Sequence, residues 1–152
     1  MTPETAVRAG DQRGLSCYLH DEPFLVLREA MMGATRFSEF RKVLGVASDV
    51  LTERLSTLVE HGVLRKVPYQ EPGERARSSY ELTPAGEELS VVLLALQLWG
   101  DKYLPWPDGP SVLRQVKGSD RPVHVGFIDD HGHEVERGQV AMVTTDAYPV
   151  PK

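Results

Sequence analysis

The chain has 152 residues, 41% of them apolar and 26% charged, enough for one compact domain with a core and a small appendage. No run approaches the ~20 apolar residues of a membrane span, and the opening MTPETAVRAGDQRG has no apolar signal core, so a cytoplasmic protein is expected. The lone cysteine, Cys17, excludes an intrachain disulfide and a cysteine-built zinc cage within one chain, and the net charge of −5 argues against nucleic acid unless the charge is unevenly spread.

It is uneven. Residues 1–27 hold 2 basic and 4 acidic side chains, residues 28–83 hold 9 and 8, and residues 84–152 hold 6 and 10. Phosphate contact, if there is any, belongs to the middle of the chain.

In chain order, residues 1–14 are rich in Pro, Gly and small polar residues and read as a flexible arm. PFLVLREAMMG, residues 23–33, predicts a compact helix with Pro23 in the first turn and Gly33 at the stop. TRFSEFRKVLG, residues 35–45, predicts a second. Its Phe37, Phe40, Val43 and Leu44 share one face, with Thr35 as cap and Gly45 as terminator. VASDVLTERLSTLVEHG predicts a third helix, capped by Ser48 and closed by Gly62. Its buried stripe is Val50, Leu51, Leu55, Leu58 and Val59. Ser48, Asp49, Thr52, Glu53 and Ser56 lie opposite, and His61 falls at the negative helix end.

VLRKVPY and SSYELT then read as a hairpin joined by the turn-forming QEPGERAR, with Pro68 requiring a short or open edge. Residues 83–104, TPAGEELSVVLLALQLWGDKYL, predict one long helix with Thr83 as cap and Pro84 as first helical residue. Leu89, Val92, Leu93, Leu96 and Trp99 make one apolar face, and Leu94 and Leu98 widen it beyond what one small core covers. PWPDGP marks a boundary. Beyond it, Val123, Val125, Phe127, Val135, Val140, Met142 and Val143 alternate around the turn DDHG, and predict a β appendage of two or three strands over 111–146.

The order helix, helix, helix, basic hairpin, long helix is that of a helix-turn-helix followed by a wing. The expected fold is mainly α (α+β): a winged helix-turn-helix over residues 15–104 with a long C-terminal dimerisation helix and the β appendage. The 48–61 helix would enter the DNA major groove, where Ser48, Asp49, Thr52, Glu53 and Ser56 face base edges. Arg36, Arg65, Lys66, Arg75 and Arg77 would reach phosphates or the minor groove.

Four stretches, LREAMMGATRFSEF, VLTERLSTLVEHGVL, YELTPAGEEL and LALQLWGD, carry a resemblance. Together, from about Leu27 to Leu104, the chain resembles the HxlR-type winged helix-turn-helix regulators, relatives of the MarR group. The resemblance implies a homodimer that reads a palindromic operator in double-stranded DNA as repressor or activator. It also implies a dimer interface built by the N-terminal segment and the helix after the wing, with Leu89, Val92, Leu93, Leu96, Trp99 and Tyr103 on this chain. The chain departs from the family pattern at HDEPF, where a Lys-Trp or Arg-Trp pair is usual. It departs again at Ser48-Asp49, where a basic residue is common, and in a tail without cysteines.

By the same resemblance Cys17 is a candidate redox switch, although LSCYLHDE surrounds it with acids that disfavour the thiolate, and an ordinary semi-buried thiol is the simpler account. His131 and His133 lie beside Asp129, Asp130 and Glu134, but neighbours at i and i+2 on a turn usually point apart, so no metal is expected. Trp99, Trp106 and Tyr103 read first as interface core, with a small-molecule effector, aromatic or quinone-like and held between the long helix and the first helices, as the alternative. No cofactor and no catalytic set is expected. Two rivals stand beside this reading. One is a winged-helix protein-interaction module that has lost DNA binding, supported by Asp49, Glu53 and the acidic total. The other is a small enzyme using the tail's His124, His131 and His133.

Overall fold

The computed structural model describes residues 23–148, in two compact units that divide between Arg114 and Gln115. The arm expected over 1–14 and Cys17 lie outside the described residues.

In the first unit, α1 (Pro23–Met31), α2 (Phe37–Leu44) and α3 (Ser48–Glu60) precede a hairpin of β1 (Leu64–Tyr69) and β2 (Arg77–Leu82). The chain continues as α4 (Pro84–Glu88) and α5 (Ser90–Tyr103). Helix α1 packs on α2, α3, β2 and α5, and α3 packs on α2 and β1. The core these contacts enclose contains Leu25, Val26, Ala30, Phe40, Leu44, Leu51, Leu55, Leu58 and Leu64. Of the stripe expected on α3, Leu51, Leu55 and Leu58 are buried, Val59 packs against the core and Val50 is half-buried. On α2, Phe40 and Leu44 are buried but Val43 is exposed, because an eight-residue helix turns only a narrow strip inward.

The caps differ from expectation in instructive ways. Arg36, not Thr35, caps α2. The Glu39 carboxylate accepts from the backbone N–H of both Thr35 (2.8 Å) and Arg36 (2.9 Å), while the Thr35 carbonyl accepts from the Tyr80 N–H at 2.7 Å. Thr35 is thereby drawn into an extended pairing with β2, alongside an Arg36–Ser79 bridge. Strand β2 thus has a partner on both edges, and Pro68 sits on the edge strand β1, opposite Ser78. Ala47, not Ser48, caps α3, since the Leu51 N–H already bonds the Ala47 carbonyl. Ser48 is therefore the first helical residue, and its side chain is exposed.

The expected single helix over 83–104 is interrupted at Leu89, whose φ and ψ of −65° and −10° stay in the right-handed region. Its inward face is also rotated. Leu93 and Leu94 are buried within their own chain, while Val91, Val92, Trp99 and Tyr103 are exposed. Leu93 is thus buried within its own chain, where spacing alone put it on one face with Val92. A helix apolar on most sides does not disclose which side faces home.

In the second unit the hairpin expected around the DDHG turn forms, though its strands are short. Among the unit's described residues the strands are β3 (Phe127–Ile128) and β4 (Glu134–Val135), paired antiparallel, with a Gln115–Pro122 bridge and a 3₁₀ turn at Arg137–Gln139. Residues 140–143 form no strand, and Met142 is fully exposed. Alternating apolar residues predict a strand only where a second layer covers one face, and no residue of 115–148 is buried.

Candidate nucleic-acid interface

The candidate surface is built outward from the end of α3. Gly62 has φ +69°, its N–H bonds the Val59 carbonyl, and the Val63 N–H bonds the Leu58 carbonyl at 2.9 Å. This pair of bonds is a Schellman ending, which needs a residue at ease with positive φ. His61 donates from Nδ1 to the Thr57 carbonyl at 2.8 Å, the capping role its position implied. The chain then enters β1 directly.

A second lock joins the far side of the hairpin to the same turn. The Thr83 N–H and hydroxyl both donate to the Val63 carbonyl, at 3.1 and 3.2 Å, and the hydroxyl also reaches the Gly62 carbonyl. The Thr83 oxygen accepts from the Gly86 N–H, capping α4. Gly86 is buried, and a Cβ there would stand 2.2 Å from the Val63 oxygen. The end of α3, both wing strands and the start of α4 are thus one fixture.

On α3, Ser48, Asp49, Thr52 and Glu53 are exposed and Ser56 is half-buried. The Thr52 hydroxyl spends its proton on the Ser48 carbonyl at 2.7 Å. What remains on offer is mostly acceptors: two carboxylates and the Thr52 oxygen. Such a face complements the amino groups that cytosine and adenine present in a major groove.

The five cations separate into two kinds. Arg36 lies 4.9 Å over the Tyr69 ring and bonds Glu71 at 2.7 Å. Arg65 bonds Glu81 across the hairpin at 2.8 Å, and Arg77 lies 3.4 Å from Glu74. Lys66 and Arg75 are exposed and make no ion pair among the described residues. Tyr69 and the three glutamates were not singled out from sequence. The alternation of charge sign along the hairpin was the signal that could have found them.

Two ionisable groups near this surface are displaced. The N–H groups of Arg36 and then Thr35 hold the Glu39 carboxyl below its ordinary range, and burial pushes the Tyr80 phenol up. Tyr80 meets the buried Phe40 edge to face at 6.4 Å.

The other sequence candidates lie elsewhere. Of the proposed dimer residues, Leu89 and Leu96 are half-buried, and Trp99 and Tyr103 stack at 5.4 Å. In the second unit, Asp129 accepts from the N–H of His131 and of His133, which shapes the turn. The two imidazoles are 6.3 Å apart and largely exposed, and no group of three metal-ligating side chains is gathered among the described residues.

Residues 23–107 match the family model described as HxlR-like helix-turn-helix. The chain belongs to the HxlR-like helix-turn-helix family. The match takes in α1 through α5, hence the whole candidate surface, and none of the second unit. Among HTH-type transcriptional regulators, themselves uncharacterized, Mb3122 of Mycobacterium bovis is 43% identical over 88 residues. That alignment is 58% of this chain and 54% of the relative. YtfH of Escherichia coli is 35% identical over 82 residues, 53% of this chain and 64% of the relative. The chain spans about half the length of the first of these curated relatives. The crystal structure of PA1607, a candidate transcription factor, superposes with a TM-score of 0.67 at 34% identity, covering 80% of this chain and 84% of that one. PA1374 of Pseudomonas aeruginosa, also a candidate transcription factor, gives 0.61 at 34% identity, over 82% and 84%. The fold is therefore the winged helix-turn-helix of HxlR-like proteins. No helix among the described residues is long and apolar enough to cross a membrane.

Proposed function

We propose that this HxlR-like chain is a homodimeric, sequence-specific DNA-binding transcriptional regulator. The carrying observation is the division of α3: Leu51, Leu55 and Leu58 are buried, while Ser48, Asp49, Thr52 and Glu53 stand exposed beside a hairpin bearing cations. In this reading α3 lies in the major groove and reads base edges. Lys66 and Arg75 meet phosphates outright, and Arg36, Arg65 and Arg77 do so after leaving their carboxylates. The pairing surface is the outward face of α5, where Val92, Trp99 and Tyr103 are exposed and Leu104 and Trp106 continue the apolar patch. Two copies so joined would present two α3 helices to a palindromic operator, with half-sites about 34 Å or a multiple apart. A small molecule or a change at Cys17 would act by altering the separation of those helices.

The test takes the full chain, sedimentation for its mass, and fluorescence anisotropy with duplex DNA from upstream of its own gene. A dimer that binds at low salt, with affinity falling linearly in log salt, is expected. A monomer that leaves the duplex unshifted in dilute buffer overturns the reading.

A further inference from the structure

The hairpin and its loop, residues 64–82, hold four basic and three acidic side chains. Each of the three acids is spent on one arginine of the candidate surface: Glu71 on Arg36, Glu74 on Arg77 and Glu81 on Arg65. The three pairs come from different geometries. Glu81 reaches straight across the strand ladder, Glu74 sits three residues before its partner, and Glu71 takes an arginine from the segment before α2. All six side chains keep at least 40% of their surface exposed, so a phosphate can reach them.

We infer that Glu71, Glu74 and Glu81 temper DNA affinity, by holding the wing arginines in ion pairs that DNA must displace. The inference rests on the DNA-binding reading above. An arginine that turns to a phosphate leaves its carboxylate facing a polyanion with one charge per ~1.7 Å of duplex. The exchange breaks the same ion pairs on any duplex, so it lowers affinity whatever the sequence. Lys66 and Arg75 stay available for the first, sequence-independent encounter. A surface ion pair alters an equilibrium by a factor of about 1.4 to 5, so three acting together lower DNA affinity by about tenfold.

The experiment compares the full-length wild type with the triple variant Glu71→Gln, Glu74→Gln, Glu81→Gln. A second triple, Asp101→Asn, Asp108→Asn, Asp146→Asn, makes the same charge change at positions distal in sequence to the hairpin. The probes are a labelled 30-base-pair duplex of mixed sequence and a duplex selected by the wild type from a randomised pool, both read by anisotropy over a salt series. Circular dichroism confirms that the variants fold. The wing triple is expected to bind the mixed duplex about tenfold tighter at low salt, with a log–log salt slope steeper by about 1–2. It gains about as much on the selected duplex, and the distal triple stays within about twofold of wild type. If the wild type binds and the wing triple matches it on both duplexes, or if the distal triple gains as much, this inference is overturned while the DNA-binding reading stands. If neither the wild type nor the wing triple binds any duplex, both fall together.

Discussion

Replacing Gly86 with alanine tests whether the wing is locked to the end of α3. The new Cβ would lie 2.2 Å from the Val63 carbonyl oxygen, 3.2 Å from its carbon and 3.1 Å from Leu82 Cδ2. The first distance is roughly 1 Å inside van der Waals contact, and the obstacle is backbone rather than a flexible side-chain tip. The same carbonyl accepts from the Thr83 N–H and hydroxyl, so moving it away opens the hairpin base and the α4 cap together. Overpacking costs about 1–3 kcal/mol, and weakening one of these bonds adds about 1 kcal/mol. Against this, alanine gains up to about 1 kcal/mol over glycine in a helix. The net expectation is a loss of about 1–3 kcal/mol. Urea unfolding at fixed protein concentration reads it as a lower midpoint at unchanged slope. Gly138→Ala, which meets open space, serves as the control and is expected within about 0.5 kcal/mol of wild type. A Gly86→Ala protein as stable as the wild type would refute the lock.

Four further outcomes are expected. Leu55→Ala empties a fully buried position on α3 and is expected to cost about 2–5 kcal/mol in the same urea assay. Glu39, whose pKa is lowered from 4.5, stabilises the fold above its unfolded value, and that contribution is lost as pH falls through the lower folded value. The stability gap between wild type and Glu39→Gln is therefore expected to be full at neutral pH and to close only in acid, followed by thermal melts across pH 2–7 (about that span, bracketing the carboxylate range). Lys66→Ala and Arg75→Ala should each weaken binding evenly across sequences and lower the salt slope by about 1, measured by anisotropy. Val92→Glu on the exposed face of α5 should leave the subunit folded and shift sedimentation from dimer to monomer.

The part of the fold legible in sequence is the part governed by local period and local stereochemistry. Leu51, Leu55 and Leu58 recur at helical spacing, and Gly62 ends the helix because few other residues accept its φ of +69°. What stayed hidden depends on residues distant in sequence. Thr35 looks like a cap until Tyr80, 45 positions later, takes its carbonyl into a sheet. The spacing of α5 could not decide between Leu93 and Val92, since both lie on a helix that is apolar nearly all round. Gly86 carried a clue that went unused: a glycine in the first turn of a helix forfeits about 1 kcal/mol relative to alanine, which asks for a packing reason. The wing's ion pairs were invisible for another cause. A count of charges over 28–83 sums to nearly zero and does not say that the acids stand on the arginines themselves.

The same lock bears on how a dimer of the proposed kind could be regulated. The Val63 carbonyl lies three residues past the end of α3 and is held by Thr83, which caps α4, and α4 leads within one residue into α5. In such a dimer a rotation of α5 would pass through the single turn at Leu89 to a fixture that hydrogen bonds and the missing Gly86 Cβ tie to the end of α3. The wing moves with it, because both strands emerge from that fixture. Displacement at the interface then changes two things at once: the separation of the two α3 helices and the approach of Lys66 and Arg75 to the duplex. An effector has to favour only one interface geometry to alter affinity, and its reach is bounded by its differential affinity for the two geometries. Weakening the lock at Gly86 or Thr83 should accordingly leave basal dimerisation in place while reducing the response of DNA affinity to a change at α5.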